Sequence, residues 1–212
     1  MTSEASRAFS EADFARARRV LMRRDPVLGA VIKRAGRCEL PDSRTDEPFA
    51  GLVRVIMSQQ LSGKAADTIY GRVVALAGGD AAMTPATVCA LSADGLRAAG
   101  VSRPKISYVY DLAEHVGDGR LDLHALDGHP DEEVIARITA VKGLGRWSAE
   151  MFLMFRLNRP DILPVGDLGI VKGMQTLFGM KRRPAERTMR RLAEPWRPYR
   201  SIACWYLWRV NE

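Results

Sequence analysis

One carboxylate and two glycines frame the chemistry this chain could do. Val141-Lys142-Gly143-Leu144-Gly145-Arg146 sets two glycines one residue apart, directly before an apolar run. Glycine permits a sharp turn and lets the backbone come close to a ligand. A helix beginning near Arg146 leaves unpaired N–H groups and a positive dipole end there, a site suited to a phosphate. Further on, a loop with two prolines leads through Pro164-Val165-Gly166 to Asp167, just ahead of the apolar segment Leu168 to Leu177. By position alone such an Asp is first an N-cap. A phosphate-gripping hairpin and a lone acid downstream of it would together suit an enzyme working on a nucleotide.

Helices must position these residues, because helical period dominates the chain. Phe49, Leu52, Val53 and Ile56 fall at spacings of three and four. Ser62 is placed to cap a helix through Ala65, Ile69 and Val73 to a stop at Gly78-Gly79. A short helix is expected between Ser92 and Gly100, and Pro104 reads as the first turn of another through Ile106, Val109 and Leu112. Acids follow Pro130, as the positive end of a helix favours, and that helix is the first arm of a helix–hairpin–helix over about 131–156. The segment Arg200 to Val210 is apolar on most sides, so it should be buried. Cys38 to Phe49 reads as an exposed polar loop, either a lobe boundary or a long connection. No alternating strand and no repeat is evident. The expected architecture is all-α, with about ten helices.

With 212 residues, 47% hydrophobic and 27% charged, the chain is globular rather than disordered. A formal charge of +7 favours polyanionic partners, above all nucleic acid. Lys181 to Arg200 is the strongest basic patch, carrying eight Lys or Arg residues against Glu186 and Glu194. Most such runs are solvated faces, and the hairpin is what adds weight to a phosphate-binding role. Cys38, Cys89 and Cys204 are scattered without C-x-x-C spacing, which excludes a disulfide framework, a zinc ribbon or a four-cysteine cluster. His115, His124 and His129 lie near turn residues and are expected at the surface, not on a metal. No run approaches the ~18–20 apolar residues of a membrane span, and nothing at the N-terminus resembles a signal peptide. A cytoplasmic location follows as the expectation, at the nucleoid if the source is bacterial.

The run KGLGRWSAEMFLMFRLNRPDILPVGDLGI resembles the helix–hairpin–helix DNA glycosylases with a Gly/Pro-rich loop and an essential Asp. Within them it is most similar to the 3-methyladenine DNA glycosylase II branch. Two more stretches fit that branch in the expected order, Val55 to Ala66 (VIMSQQLSGKAA) and Trp196 to Trp208 (WRPYRSIACWYLW). The resemblance runs from about residue 50 to the C-terminus. It implies a two-lobed, all-α glycosylase domain over residues 1–212, without the extra N-terminal β-rich domain of the larger members.

It also implies roles. Asp167 matches the catalytic acid. Lys142, Gly143, Leu144, Gly145 and Arg146 match the hairpin that holds the DNA backbone, and Gln60, or its neighbour Leu61, matches the wedge that fills the gap left by a flipped base. Trp147 and Trp208 match aromatic residues of the base pocket. Met151 stands where that branch carries an aromatic, which leaves substrate preference open. The main-chain carbonyls of Thr139, Val141 and Leu144 match a monovalent cation site, for Na or K, at the hairpin. No cofactor is expected for catalysis. Glycosylases that also nick the strand carry a Lys nucleophile where this chain has Trp147, so a monofunctional enzyme is implied.

The chemistry can be reasoned independently of the family. A base inside a duplex must be extruded before it is reached. N3- or N7-alkylation makes a purine cationic and a good leaving group, and cleavage builds positive charge on the sugar. A fixed carboxylate would stabilise that charge and direct water, and indole faces would attract the cationic base. The expected activity is removal of alkylated purines of the 3-methyladenine type from damaged double-stranded DNA, leaving an abasic site, by a monomer. The rivals are a glycosylase for a deaminated or oxidised base, a non-catalytic damage-binding protein, and a helix-turn-helix regulator.

Overall fold

A computed structural model describes residues 11–40 and 47–211. Twelve α-helices occur among the described residues and no strand does, so the helix count exceeds the expected ten. The chain divides into two compact units, one of Met1–Arg44 with Leu153–Glu212 and the other of Thr45–Phe152. The break falls inside the segment read as a polar loop. Cys38 and Leu40 in that segment are buried, not exposed, because the apolar residues point inward despite their polar neighbours. Residues 41–46 lie outside the described residues.

In the central unit, α3 (Pro48–Ser58) buries Phe49, Leu52, Val53 and Ile56 as its period predicts, and packs on α4 (Gly63–Ala77) and α7 (Arg103–Gly117). Ser62 occupies the N-cap position of α4 but makes no side-chain cap bond, while Gly78 ends the helix in the left-handed conformation at φ 93°. Two short helices, α5 (Pro85–Ala90) and α6 (Ala93–Ala98), are capped by Thr84 and Ser92. Then α8 (Asp131–Thr139) and α9 (Arg146–Phe155) form the two arms of the hairpin. The last residues of α9, from Leu153 on, belong to the other unit. The surface expectation for the histidines holds for His124. His115 and His129 are half-buried and face Asp111 and Glu133.

The other unit is built around α12 (Arg200–Trp208), whose residues Ser201 to Leu207 are all buried. Against it pack α1 (Glu11–Arg24), α2 (Pro26–Ala35) and α10 (Leu168–Leu177). The remaining helix is α11 (Glu186–Leu192). Buried Trp196 donates its indole N–H to Asp25 Oδ2 at 2.7 Å, and Asp25 Oδ1 caps α2. The loop between α9 and α10 is pinned to α12 by polar contacts. Ser201 Oγ donates to the Arg159 carbonyl at 2.6 Å and accepts from the Ile162 N–H at 2.9 Å. Arg200 clasps both oxygens of Asp161, at 2.7 and 2.9 Å. A bidentate, partly buried pair of this kind is geometrically specific, and it makes the proline loop a rigid mount.

Candidate active site and nucleic-acid interface

Asp167 sits at the end of that mount. Its N–H closes a turn onto the Pro164 carbonyl at 3.1 Å, and its Oδ1 accepts the Ile170 N–H at 2.8 Å, so it does cap α10. The same Oδ1 also accepts the indole N–H of Trp208 at 2.9 Å. A cap needs only the first bond. The second comes from another helix and fixes the carboxylate in one orientation.

Two glycines of α10 make that approach possible. A Cβ on Gly169 would lie 2.7 Å from Trp208 Cδ1, and one on Gly173 would lie 2.3 Å from the Leu207 carbonyl oxygen. Side chains at either position would hold α12 away and break the Trp208–Asp167 bond. Trp208 is also stacked on Phe155, with centroids 5.7 Å apart and planes 18° from parallel. Beside the acid, Leu168 is 70% exposed, the most exposed large apolar side chain described.

In the central unit the hairpin turns at Gly143, with φ 78°. A Cβ there would meet the Tyr108 ring at 2.2 Å, so the backbone lies directly on that ring. Gly145 differs. It has no positive φ, and its Cβ would meet nothing within 4 Å. The Leu144 side chain is buried, so this residue can offer a ligand only its main chain. Lys142 is exposed, while its backbone N–H is taken by Asp111 Oδ2 at 2.7 Å. Arg146 is not a free cation. Glu132 grips it through Nη1 at 3.0 Å and Glu150 through Nε at 3.2 Å, and these bonds hold its pKa above the ordinary arginine value. Arg146 thus ties the two arms of the hairpin, α8 and α9, to each other. Trp147 is half-buried and Met151 buried, four residues apart on one face of α9.

The turn after α3 presents both wedge candidates to solvent, with Leu61 42% exposed. Gln60 adopts φ 58°, in the left-handed region that a non-glycine residue rarely enters. The turn is anchored by residues that the sequence did not single out. Gln59 Nε2 donates to the Gly143 carbonyl at 2.9 Å, and Lys105 Nζ donates to the Met57 and Gln59 carbonyls at 2.7 and 2.8 Å. Burial lowers the pKa of Lys105 below the usual lysine value. Nothing local signals these contacts, because Lys105 lies in an ordinary helical run.

The basic patch sorts into two sets. Glu186 neutralises Arg190, Asp161 and Glu194 neutralise Arg197, and Asp161 neutralises Arg200. Lys181, Arg182, Arg183, Arg187 and Arg191 are exposed and have no carboxylate partner among the described residues. No group of three or more His, Cys, Asp or Glu residues able to hold a metal occurs among the described residues.

Comparison with known proteins places this geometry in context. A family model described as HhH-GPD superfamily base excision DNA repair protein matches residues 53–198. The chain is 34% identical over 167 residues to DNA-3-methyladenine glycosylase 1 of Schizosaccharomyces pombe, which covers 78% of this chain and 73% of that one. It is 40% identical to a crystal structure of DNA-3-methyladenine glycosidase from Bacillus halodurans, with a TM-score of 0.77 and 97% and 93% of the two chains covered. The structure of an S. pombe 3-methyladenine DNA glycosylase in complex with abasic DNA is 32% identical, with a TM-score of 0.84 over 92% of this chain and 95% of that one. The matched residues take in both the hairpin and Asp167, and on that match the chain belongs to the HhH-GPD superfamily of base excision DNA repair proteins.

Proposed function

We propose that this protein is a monofunctional DNA glycosylase that extrudes alkylated purines of the 3-methyladenine type and hydrolyses their glycosidic bond, leaving an abasic site. The carrying observation is the doubly held Asp167, with Oδ1 accepting from Ile170 N–H and Trp208 Nε1. Members of this superfamily similar to the chain are named for that activity.

In this scheme the whole chain works as one domain and as a monomer on damaged double-stranded DNA. The main chain at Gly143 to Gly145 takes a phosphate. Gly145 leaves room for this, because a Cβ there would meet no protein atom within 4 Å. Gln60, with Leu61 beside it, fills the vacated stack. Trp147 and Met151 of the one unit are assigned to the base, as is Trp208 of the other, and indoles offer electron-rich faces to a positive charge at ~0.5–2 kcal/mol each. As the bond to the sugar breaks, Asp167 faces the developing cation and directs water to the anomeric carbon, giving up no covalent bond of its own.

The hairpin carbonyls of Thr139, Val141 and Leu144 fit a monovalent cation. The donor set is all oxygen, as a hard cation prefers. Among the described residues no backbone N–H bonds the Thr139 carbonyl, while the Val141 carbonyl accepts the Leu144 N–H at 3.1 Å and has only its second lone pair to offer. Bound there, Na or K would supply a positive bridge to a DNA phosphate. For a protein acting on DNA the proposed site of action is the cytoplasm, and among the described residues no helix is long and apolar enough to cross a membrane.

The test is base release by the purified full chain from matched duplexes carrying a methylated purine, uracil or 8-oxoguanine. Release of free methylated base, with little from the others, is expected. Release confined to uracil or 8-oxoguanine would move the activity to another lesion, and tight binding without any release would leave a damage-binding protein.

A further inference from the structure

Lys105, Tyr108 and Asp111 stand three residues apart along one side of α7, and each supports a segment assigned above to DNA. Lys105 Nζ holds the Met57 and Gln59 carbonyls, the open end of α3 immediately before Gln60. The Tyr108 ring lies beneath Gly143. Asp111 Oδ2 accepts the Lys142 N–H. Gln59 then links the two segments directly, donating from Nε2 to the Gly143 carbonyl at 2.9 Å and to Ser148 Oγ at 3.2 Å. The wedge turn and the phosphate hairpin, more than eighty residues apart in sequence, are thus mounted on one helix.

We propose that Lys105, Tyr108, Asp111 and Gln59 are positioning residues that fix the spacing between the wedge turn and the phosphate hairpin, so that gripping the backbone drives the wedge into the stack. The proposal rests on the reading of this chain as a base-extruding glycosylase. Its physical basis is stiffness. Extrusion costs a few kcal/mol of stacking and pairing. A wedge can deliver that only if the grip it pushes against does not yield, and a looser mount would lose the geometry on which the step depends.

Burial alone does not call for these polar contacts. Helices α3 and α7 already pack together, and Ile56, Val109 and Leu112 are fully buried. An ammonium at the C-terminal end of α3 does suit the helix dipole, yet partial burial depresses its pKa, so its placement carries a desolvation cost. Gln60, the next residue, is the one held at φ 58°. The clamp grips the chain on the residue before that strained position and leaves the Gln60 side chain free to project.

The experiment compares wild type with Lys105→Met and Gln59→Leu, each of which removes donors while retaining an apolar stem. Single-turnover excision of a methylated purine is measured from a duplex and from the same strand unpaired. The fluorescence of 2-aminopurine beside an abasic site in a duplex reports unstacking separately from chemistry. Both variants should lose about tenfold in duplex excision and less than about twofold on the single strand, and both should give a smaller fluorescence rise. Lys105→Arg, which can still reach two carbonyls, should restore most of the duplex rate. Equal losses on both substrates, or no loss on either, would overturn the coupling. Wild-type protein that brightens 2-aminopurine but releases no base would count against the glycosylase reading and leave the coupling to stand on the fluorescence. Should Lys105→Met not fold, Gln59→Leu, altered at a half-exposed side chain, carries the same comparison.

Discussion

The indole N–H of Trp208 and the N–H of Ile170 converge on a single carboxylate oxygen, Asp167 Oδ1, at 2.9 and 2.8 Å. A capping aspartate and an acid aimed at a substrate are usually alternative explanations of one residue. Here they are compatible, because the cap fixes the oxygen and the indole fixes the plane of the group. The two roles separate by substitution. Asp167→Asn keeps an acceptor for both donors and should leave the melting temperature within a few degrees, while excision falls by about 10²–10³ through loss of the charge. Trp208→Phe should keep the stack on Phe155 but remove one of the two donors to Oδ1, with excision reduced about tenfold and affinity for abasic-site DNA little changed. Calorimetry and single-turnover rates check both variants. Near wild-type excision by Asp167→Asn would leave the cap as its whole role.

The two hairpin glycines should respond in opposite ways. Gly143 combines φ 78° with a Tyr108 ring in the place of its Cβ, so Gly143→Ala should destabilise the protein by about 2 kcal/mol or more. Gly145→Val meets no protein atom at its Cβ. It should melt near the wild-type temperature yet bind every duplex sequence more weakly, by about tenfold. Thermal melts alongside fluorescence-anisotropy titrations distinguish the two. Tight DNA binding by Gly145→Val would remove the phosphate from that position.

How much of this the sequence disclosed depended on the range of each contact. Asp167 as a cap, Gly78 as a helix stop and Gly143 as a sharp turn are dictated by residues within a few positions, and local pattern found them. The Trp208 bond to Asp167 spans 41 residues and needs the small Gly169 and Gly173 between helices, so spacing could not reveal it. Tyr108, Lys105 and Asp111 escaped for the same reason. Arg146 drew attention as a cation at a helix start, but Glu132 on the preceding arm engages it. Cys38 and Leu40 looked exposed because their neighbours are polar, whereas each side chain is buried on its own account.

Gln60 carries backbone strain that glycine would relieve. A left-handed conformation costs a non-glycine residue about 1 kcal/mol. Gln60→Gly should therefore melt at or slightly above the wild-type temperature while losing several-fold in duplex excision, and the single strand should be affected less. A loss of stability in Gln60→Gly, or equal losses on both substrates, would assign Gln60 a structural role at the turn.

The five unpaired cations from Lys181 to Arg191 predict a salt effect. Each phosphate neutralised contributes about −0.9 to the slope of log affinity against log salt. Replacing Arg183, Arg187 and Arg191 together by Gln should flatten the slope for undamaged duplex by about one to three units, with single-turnover excision at saturating enzyme unchanged. Arg190, already paired with Glu186, is the control and should barely alter the slope when replaced. An unchanged slope in the triple variant would make the patch a solvated face.

Reaction type follows from which amine can reach the sugar. A strand-nicking glycosylase needs a nucleophilic amine to form a Schiff base at the anomeric carbon, and position 147, which the resemblance matches to that amine, is Trp here. Three lysines bear on the question in the structure. Lys105 is committed to the Met57 and Gln59 carbonyls. Lys142 precedes the first hairpin glycine with its side chain exposed, and Lys172 is exposed one turn into α10 from Leu168. None of the three stands at position 147, and the proposed function takes water, directed by Asp167, as the nucleophile. The expected product is an unbroken strand with an abasic site, cut only on later alkali treatment, and borohydride should trap no covalent protein–DNA adduct. Trp147→Lys is the converse variant. If position 147 faces the sugar, that substitution should introduce a weak borohydride-trappable adduct, and Asp167→Asn should abolish it. An adduct formed by the wild-type protein and lost on replacing one lysine would instead identify a lyase.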